Sequence, residues 1–177
     1  MNQLITFKNR KNLSFLFSFI ILLVVGSCTI ELDRNNINIF TDMTERLAVE
    51  FNHDPGNTGE YHMSESIGSG VAIFDINNDG LMDIYFLNGP GLENNNNIQP
   101  TNELYVQNDK NIFENKTNYS GLGSTRFSMG TAVGDINNDG YQDIYCSNLG
   151  SDQLFLNNGD GTFSDISKTA GINNSEW

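Results

Sequence analysis

The sequence predicts an all-β fold, a partial β-propeller of four-stranded blades, on three observations. A block of sixteen residues occurs twice without a gap, as Gly70–Tyr85 (GVAIFDINNDGLMDIY) and Gly130–Tyr145 (GTAVGDINNDGYQDIY), so that Asp75 and Asp135 are sixty positions apart. The apolar runs are short and bounded by Gly and Asn, which suits strands better than helices. In the second copy Asn158-Gly159-Asp160-Gly161 separates Leu154–Leu156 from Thr162–Phe163, a strong hairpin signal. Four strands in about 50 residues is the content of one propeller blade.

In chain order, residues 1–27 come first and form an address. Lys8, Arg10 and Lys11 precede the apolar run Leu13–Val25, and small residues lead to Cys28. That run is shorter than the roughly 20 residues a spanning helix needs, and the layout is that of a secretory signal. Val25-Gly26-Ser27-Cys28 resembles the lipobox of bacterial lipoproteins. The resemblance implies cleavage before Cys28, lipidation of that cysteine and, with Thr29 rather than Asp next, anchoring in the outer membrane. Glu31 and Asp33 resemble surface-export signals. Residues 28–36 read as a polar tether, and 37–66 as an N-terminal strand and linker. Within it, Phe40–Thr44 (FTDMT) is a faint partial copy of Phe163–Ser167 (FSDIS).

Residues 67–123 are the first repeat, with expected strands at Val71–Phe74, Ile84–Leu87, Leu104–Val106 and Ile112–Phe113. Residues 124–173 are the second. After the sixteen-residue block the offset shortens: Leu104-Tyr105-Val106 matches Leu154-Phe155-Leu156, and Phe113 matches Phe163. The difference is an insertion around Gly89–Pro100, whose Gly, Pro and Asn content marks a solvent loop. Lys168–Gly171 reads as a short helical turn. By the same offset, residues 174–177 stand where a third repeat begins, and the expectation is a chain that continues with further copies.

The repeated loop carries the chemistry. Asp75, Asn77 and Asp79 alternate, followed by Gly80, Leu81 and Asp83; the second copy has Asp135, Asn137, Asp139, Gly140, Tyr141 and Asp143. In a tight loop, alternate side chains turn their oxygens inward, a glycine admits the positive φ that follows, and the next carbonyl (Leu81 or Tyr141) and a final carboxylate close the shell. All donors are oxygen, which suits calcium and does not suit zinc. Three carboxylates this close would repel one another without a cation. An EF-hand would need an acid at loop position 12, where Phe86 and Cys146 stand. The expectation is two calcium sites.

The block Gly70–Tyr85 and its copy resemble the FG-GAP or VCBS repeat, shared with integrin α-chain propellers and many bacterial surface proteins. Leu154–Asp165 (LFLNNGDGTFSD) is similar to the subgroup around cartilage acidic protein and its bacterial relatives, many of which carry a further C-terminal ASPIC/UnbV domain. The resemblance spans about residues 38–177. It implies a loop between two strands of a blade that holds calcium through the ligands just named.

Composition bounds the function. The net charge of −13 repels nucleic acid and anionic lipid, so no nucleic-acid partner is expected. Cys28 and Cys146 do not make a disulfide framework. The only histidines, His53 and His62, precede the repeats and have no nucleophile beside them in sequence. The reading is a non-enzyme: a calcium-stabilised, lipid-anchored cell-surface module for binding or adhesion, its ligand a protein or a glycan. The alternatives are the non-catalytic part of a propeller-based surface enzyme or polysaccharide-handling system, and a structural spacer.

Overall fold

In a computed structural model the described residues are 40–57, 59, 60, 62–89, 100–172 and 174. The signal segment, Cys28, the tether, residues 37–39, most of the insertion and residues 175–177 lie outside them. The chain divides into two units after Thr41, and the second, Asp42–Trp177, holds both sheets.

Two antiparallel four-stranded sheets hold all the strands among the described residues. The first runs β1 (Val71–Phe74), β2 (Asp83–Phe86), β3 (Glu103–Gln107) and β4 (Phe113–Asn115). The second runs β5 (Ser128–Gly134), β6 (Asp143–Asn148), β7 (Gln153–Asn157) and β8 (Phe163–Asp165). Two short helices accompany them, α1 (Met63–Ile67) and α2 (Thr117–Ser120). Register repeats between the sheets: Phe74 pairs with Asp83 and Ile84 with Tyr105, as Gly134 pairs with Asp143 and Ile144 with Phe155. The strands are short because Asn and Gly end each apolar run, and consecutive strands pair as neighbours in meander order, the β3–β4, β6–β7 and β7–β8 connections being of hairpin length. This is the predicted all-β partial propeller.

Strand alternation builds one core between the blades. Residues of a strand point alternately to its two faces. Ala72, Phe74, Ile76, Tyr85, Leu87 and Leu104 fill the core from the first blade; Ile144, Cys146, Phe155 and Phe163 fill it from the second. The opposite parity in β1, Val71 and Ile73, is exposed. Burying one such side chain contributes roughly 1.5–3 kcal/mol, so the blades hold each other. At the crossing of β1 and β5 small residues are required: a Cβ on Gly70 would stand 3.1 Å from the Cα of Gly130. A buried polar thread reinforces the joint. Asn102 Nδ2 donates to Ser128 Oγ at 2.9 Å, and Ser128 Oγ to Asn148 Oδ1 at 2.8 Å.

The faint copy before the first blade is real at the level of a turn. Thr44 N–H bonds Asp42 Oδ1 at 2.9 Å, as Ser167 N–H bonds Asp165 Oδ1 at 3.0 Å. Leu47 N–H reaches Met43 O at 2.8 Å, as Ala170 N–H reaches Ile166 O at 2.8 Å. Phe40–Met43 carry no strand. The segment then lies along the first blade: Phe113 N–H donates to Leu47 O at 2.9 Å, and Phe51 stacks on Phe86 with centroids 4.4 Å apart. The expected turn over Lys168–Gly171 is present.

Candidate metal centre

Each acidic loop joins the first two strands of its blade, β1 to β2 and β5 to β6. The two loops are built alike. Asp79 N–H bonds Asp75 Oδ1 at 3.1 Å and Asn77 Oδ1 at 3.1 Å, while Gly80 N–H bonds Asp75 Oδ2 at 2.8 Å. In the second loop Asp139 N–H bonds Asp135 Oδ1 at 3.2 Å and Asn137 Oδ1 at 3.1 Å, and Gly140 N–H bonds Asp135 Oδ2 at 2.9 Å. Leu81 N–H and Tyr141 N–H each bond the loop's second acid, Asp79 or Asp139, at 2.8 Å. Asn78 and Asn138 both sit at φ 59°, and Gly80 and Gly140 at 86° and 91°. These left-handed residues curl the chain around its own oxygens; Asn and Gly are the types that adopt them at least cost.

Asp83 and Asp143 differ from the other acids. They are 0% and 1% exposed. Asp83 Oδ2 accepts Ile76 N–H at 2.9 Å and Oδ1 accepts Gln107 N–H at 2.8 Å. Asp143 accepts Ile136 N–H at 2.9 Å and Asn157 N–H at 2.8 Å in the same way. The carboxylate thus clasps the loop entrance to the end of the third strand. Sequence reasoning assigned these residues to the ion alone, because hydrogen-bond acceptance from a distant strand leaves no mark in local spacing.

The donor set fits a hard cation. The loop's residue types supply carboxylate, amide and carbonyl oxygens, the ligand class of calcium, and in this structure the Asn77 and Asn137 side-chain amides donate to Asp79 Oδ2 at 2.9 Å and Asp139 Oδ2 at 2.7 Å. Burial pushes the Asp83 carboxyl above the ordinary range; the N–H groups of Ile76 and Gln107 oppose this, and the charges of Asp79 and Asp75 add to it. In the second loop the Gly140 N–H is the main cause that holds Asp135 below the usual carboxylate value. Among the described residues no three His, Cys, Asp or Glu side chains converge on one point; the loop oxygens of Asp75, Asn77 and Asp79 are turned onto the loop's own amides. Leu81 and Tyr141 are half-buried beside them.

A family model described as FG-GAP-like repeat matches residues 75–146 and 135–177. The match starts at the first residue of each acidic loop and takes in most of both blades. The chain belongs to the FG-GAP-like repeat family, whose repeats are blades of β-propeller modules. No curated protein matches it.

Proposed function

We propose that the chain is a calcium-stabilised, lipid-anchored module of the bacterial cell surface that binds a protein or a glycan and has no catalytic role. The observation that carries the calcium reading is the duplication: two oxygen-lined loops, sixty positions apart, with matching hydrogen bonds. Asp75, Asn77, Asp79, the Leu81 carbonyl and Asp83 would hold one ion; Asp135, Asn137, Asp139, the Tyr141 carbonyl and Asp143 would hold the other. Bound calcium neutralises the carboxylates and cross-links the loop. The loop's own part is to carry its oxygen-bearing residues on one strand-to-strand connection. Extracellular calcium sites bind at about 10⁻⁴–10⁻³ M. At about 1 mM calcium and a Kd near 0.1 mM each site adds roughly 1.4 kcal/mol. Calorimetry should find two calcium ions per chain, and millimolar calcium should raise the melting temperature by several degrees. Both effects should disappear in Asp79→Ala, Asp139→Ala. A chain that takes up no calcium and melts at one temperature with and without it would falsify the reading.

The anchor rests on the order of charges, apolar run and Cys28. A metabolic fatty-acid label should mark the wild-type chain and leave Cys28→Ala blank; equal labelling of both removes the lipoprotein reading. Binding or adhesion is supported by family membership and by the strongly acidic composition, with a net charge of −13. Screening the full chain against glycans and surface proteins, with and without calcium, tests it.

A further inference from the structure

The two acidic loops touch each other. Asn157, at the end of β7, is 2% exposed. Its side-chain amide donates to the carbonyl of Ile76 at 2.9 Å and to that of Gln142 at 3.2 Å. One NH₂ group therefore spans the residue after Asp75 in the first loop and the residue before Asp143 in the second. The rest of Asn157 is also committed: its main-chain N–H goes to Asp143 Oδ1 at 2.8 Å, and its Oδ1 takes Gly159 N–H at 2.9 Å. On the other side, the N–H of Ile76 is held by Asp83. A continuous path of bonds thus runs from Asp83 through the Ile76 peptide and the Asn157 amide to Gln142 and Asp143. A second strut lies at the rim, where Asn78 Nδ2 donates to the carbonyl of Gly140 at 2.9 Å. Gln107 makes no such bridge, and no described acidic loop precedes the first blade for it to reach. It holds the place of Asn157 in the first blade and gives its main-chain N–H to Asp83 in the same manner, yet its side chain goes to Asn111 Oδ1 at 3.4 Å.

We propose that the two loops are one coupled cation-binding unit, in which an ion in either loop raises the affinity of the other through Asn157 and Asn78. The proposal rests on the calcium reading above. Ordering the second loop fixes the carbonyls of Gly140 and Gln142, hence the amides of Asn78 and Asn157, hence the entrance of the first loop at Ile76. The ordering entropy is then spent once for two ions, which is positive cooperativity without any change of fold. Linkage requires the effect to be reciprocal and equal in both directions.

The test is a calcium titration of the full chain in detergent, followed by calorimetry and by melting temperature. Asp139→Ala leaves the first loop and Asp79→Ala the second. Each remaining site should bind calcium at least about fivefold more weakly than in the wild type, by the same factor in both variants. With Asn157→Ala that factor should fall towards one. Asn78→Ala, at an exposed position, should reduce it by a smaller amount, and it serves where Asn157→Ala does not fold. One ion bound with wild-type affinity in each single-loop variant would overturn the coupling and leave the calcium reading intact. A wild-type chain that binds no calcium would overturn both.

Discussion

Cys146 stands at position 12 of the second loop motif, where an EF-hand would place an acid, and the structure gives it a different task. It is fully buried in the interblade core beside Ile144 and Phe155. Burial pushes its thiol up to about 12, so almost none is thiolate at neutral pH, and the thiolate is the reactive form. In a Cys28→Ala chain, Cys146 should resist a thiol reagent at pH 8 while native and react fully in denaturant. Rapid labelling of the native protein would show that the core opens. Residues at this scale were partly legible: the spacing identified the loop acids, because one loop's geometry is local. Asn157 was not, since it stands unmarked between Leu156 and the hairpin turn that opens at Asn158, and its reach to Ile76 crosses from blade to blade.

Among the elements, the acidic loop depends on a division of labour that spacing does not reveal. Asp75, Asn77 and Asp79 hold only their own loop, whereas Asp83 joins the loop to Gln107 on β3 and Asp143 joins its loop to Asn157 on β7. A buried carboxylate that accepts two main-chain N–H bonds is costly to replace, because the donors are left without a partner. In chelator, Asp83→Asn should destabilise the protein by about 1–3 kcal/mol, since the amide can accept from only one of the two donors. Asp79→Asn, in an exposed turn, should change stability by about 0.5 kcal/mol or less under the same conditions. Urea melts in the absence of calcium compare the two. Equal effects would mean that the clasp contributes nothing beyond its charge.

For the molecule as a whole, equivalent positions of the repeat have unequal surroundings. Ile76 and Ile136 occupy the same motif position, but Ile76 is 1% exposed and Ile136 56%. Tyr85 and Tyr145 show the same contrast, at 0% and 36%. The cause is that one face of the first blade is covered by the second, and the matching face of the second is not covered by any described residue. Ile76→Ala should therefore cost about 2–5 kcal/mol and Ile136→Ala about 0.5 kcal/mol or less. Denaturant midpoints of the two variants measure the difference. Similar losses would place Ile136 against a partner in solution.

The strands, their pairing within a blade, the repeat and its two oxygen-lined loops follow from local features: period-two alternation, Asn-Gly turns and a motif repeated at constant spacing. These act over a few residues, and a sequence displays them directly. Phe40–Met43 mark where that stops, since a matching motif kept the turn after Asp42 but carried no strand there. Three things needed the tertiary structure: which face of each strand is core, the clasp made by Asp83 and Asp143, and the joining of the two loops through Asn157 and Asn78. Each depends on groups brought together from distant positions (Asn78 and Gly140 are 62 apart). The energy of such a contact belongs to the packed pair of blades, and neither segment alone contains it.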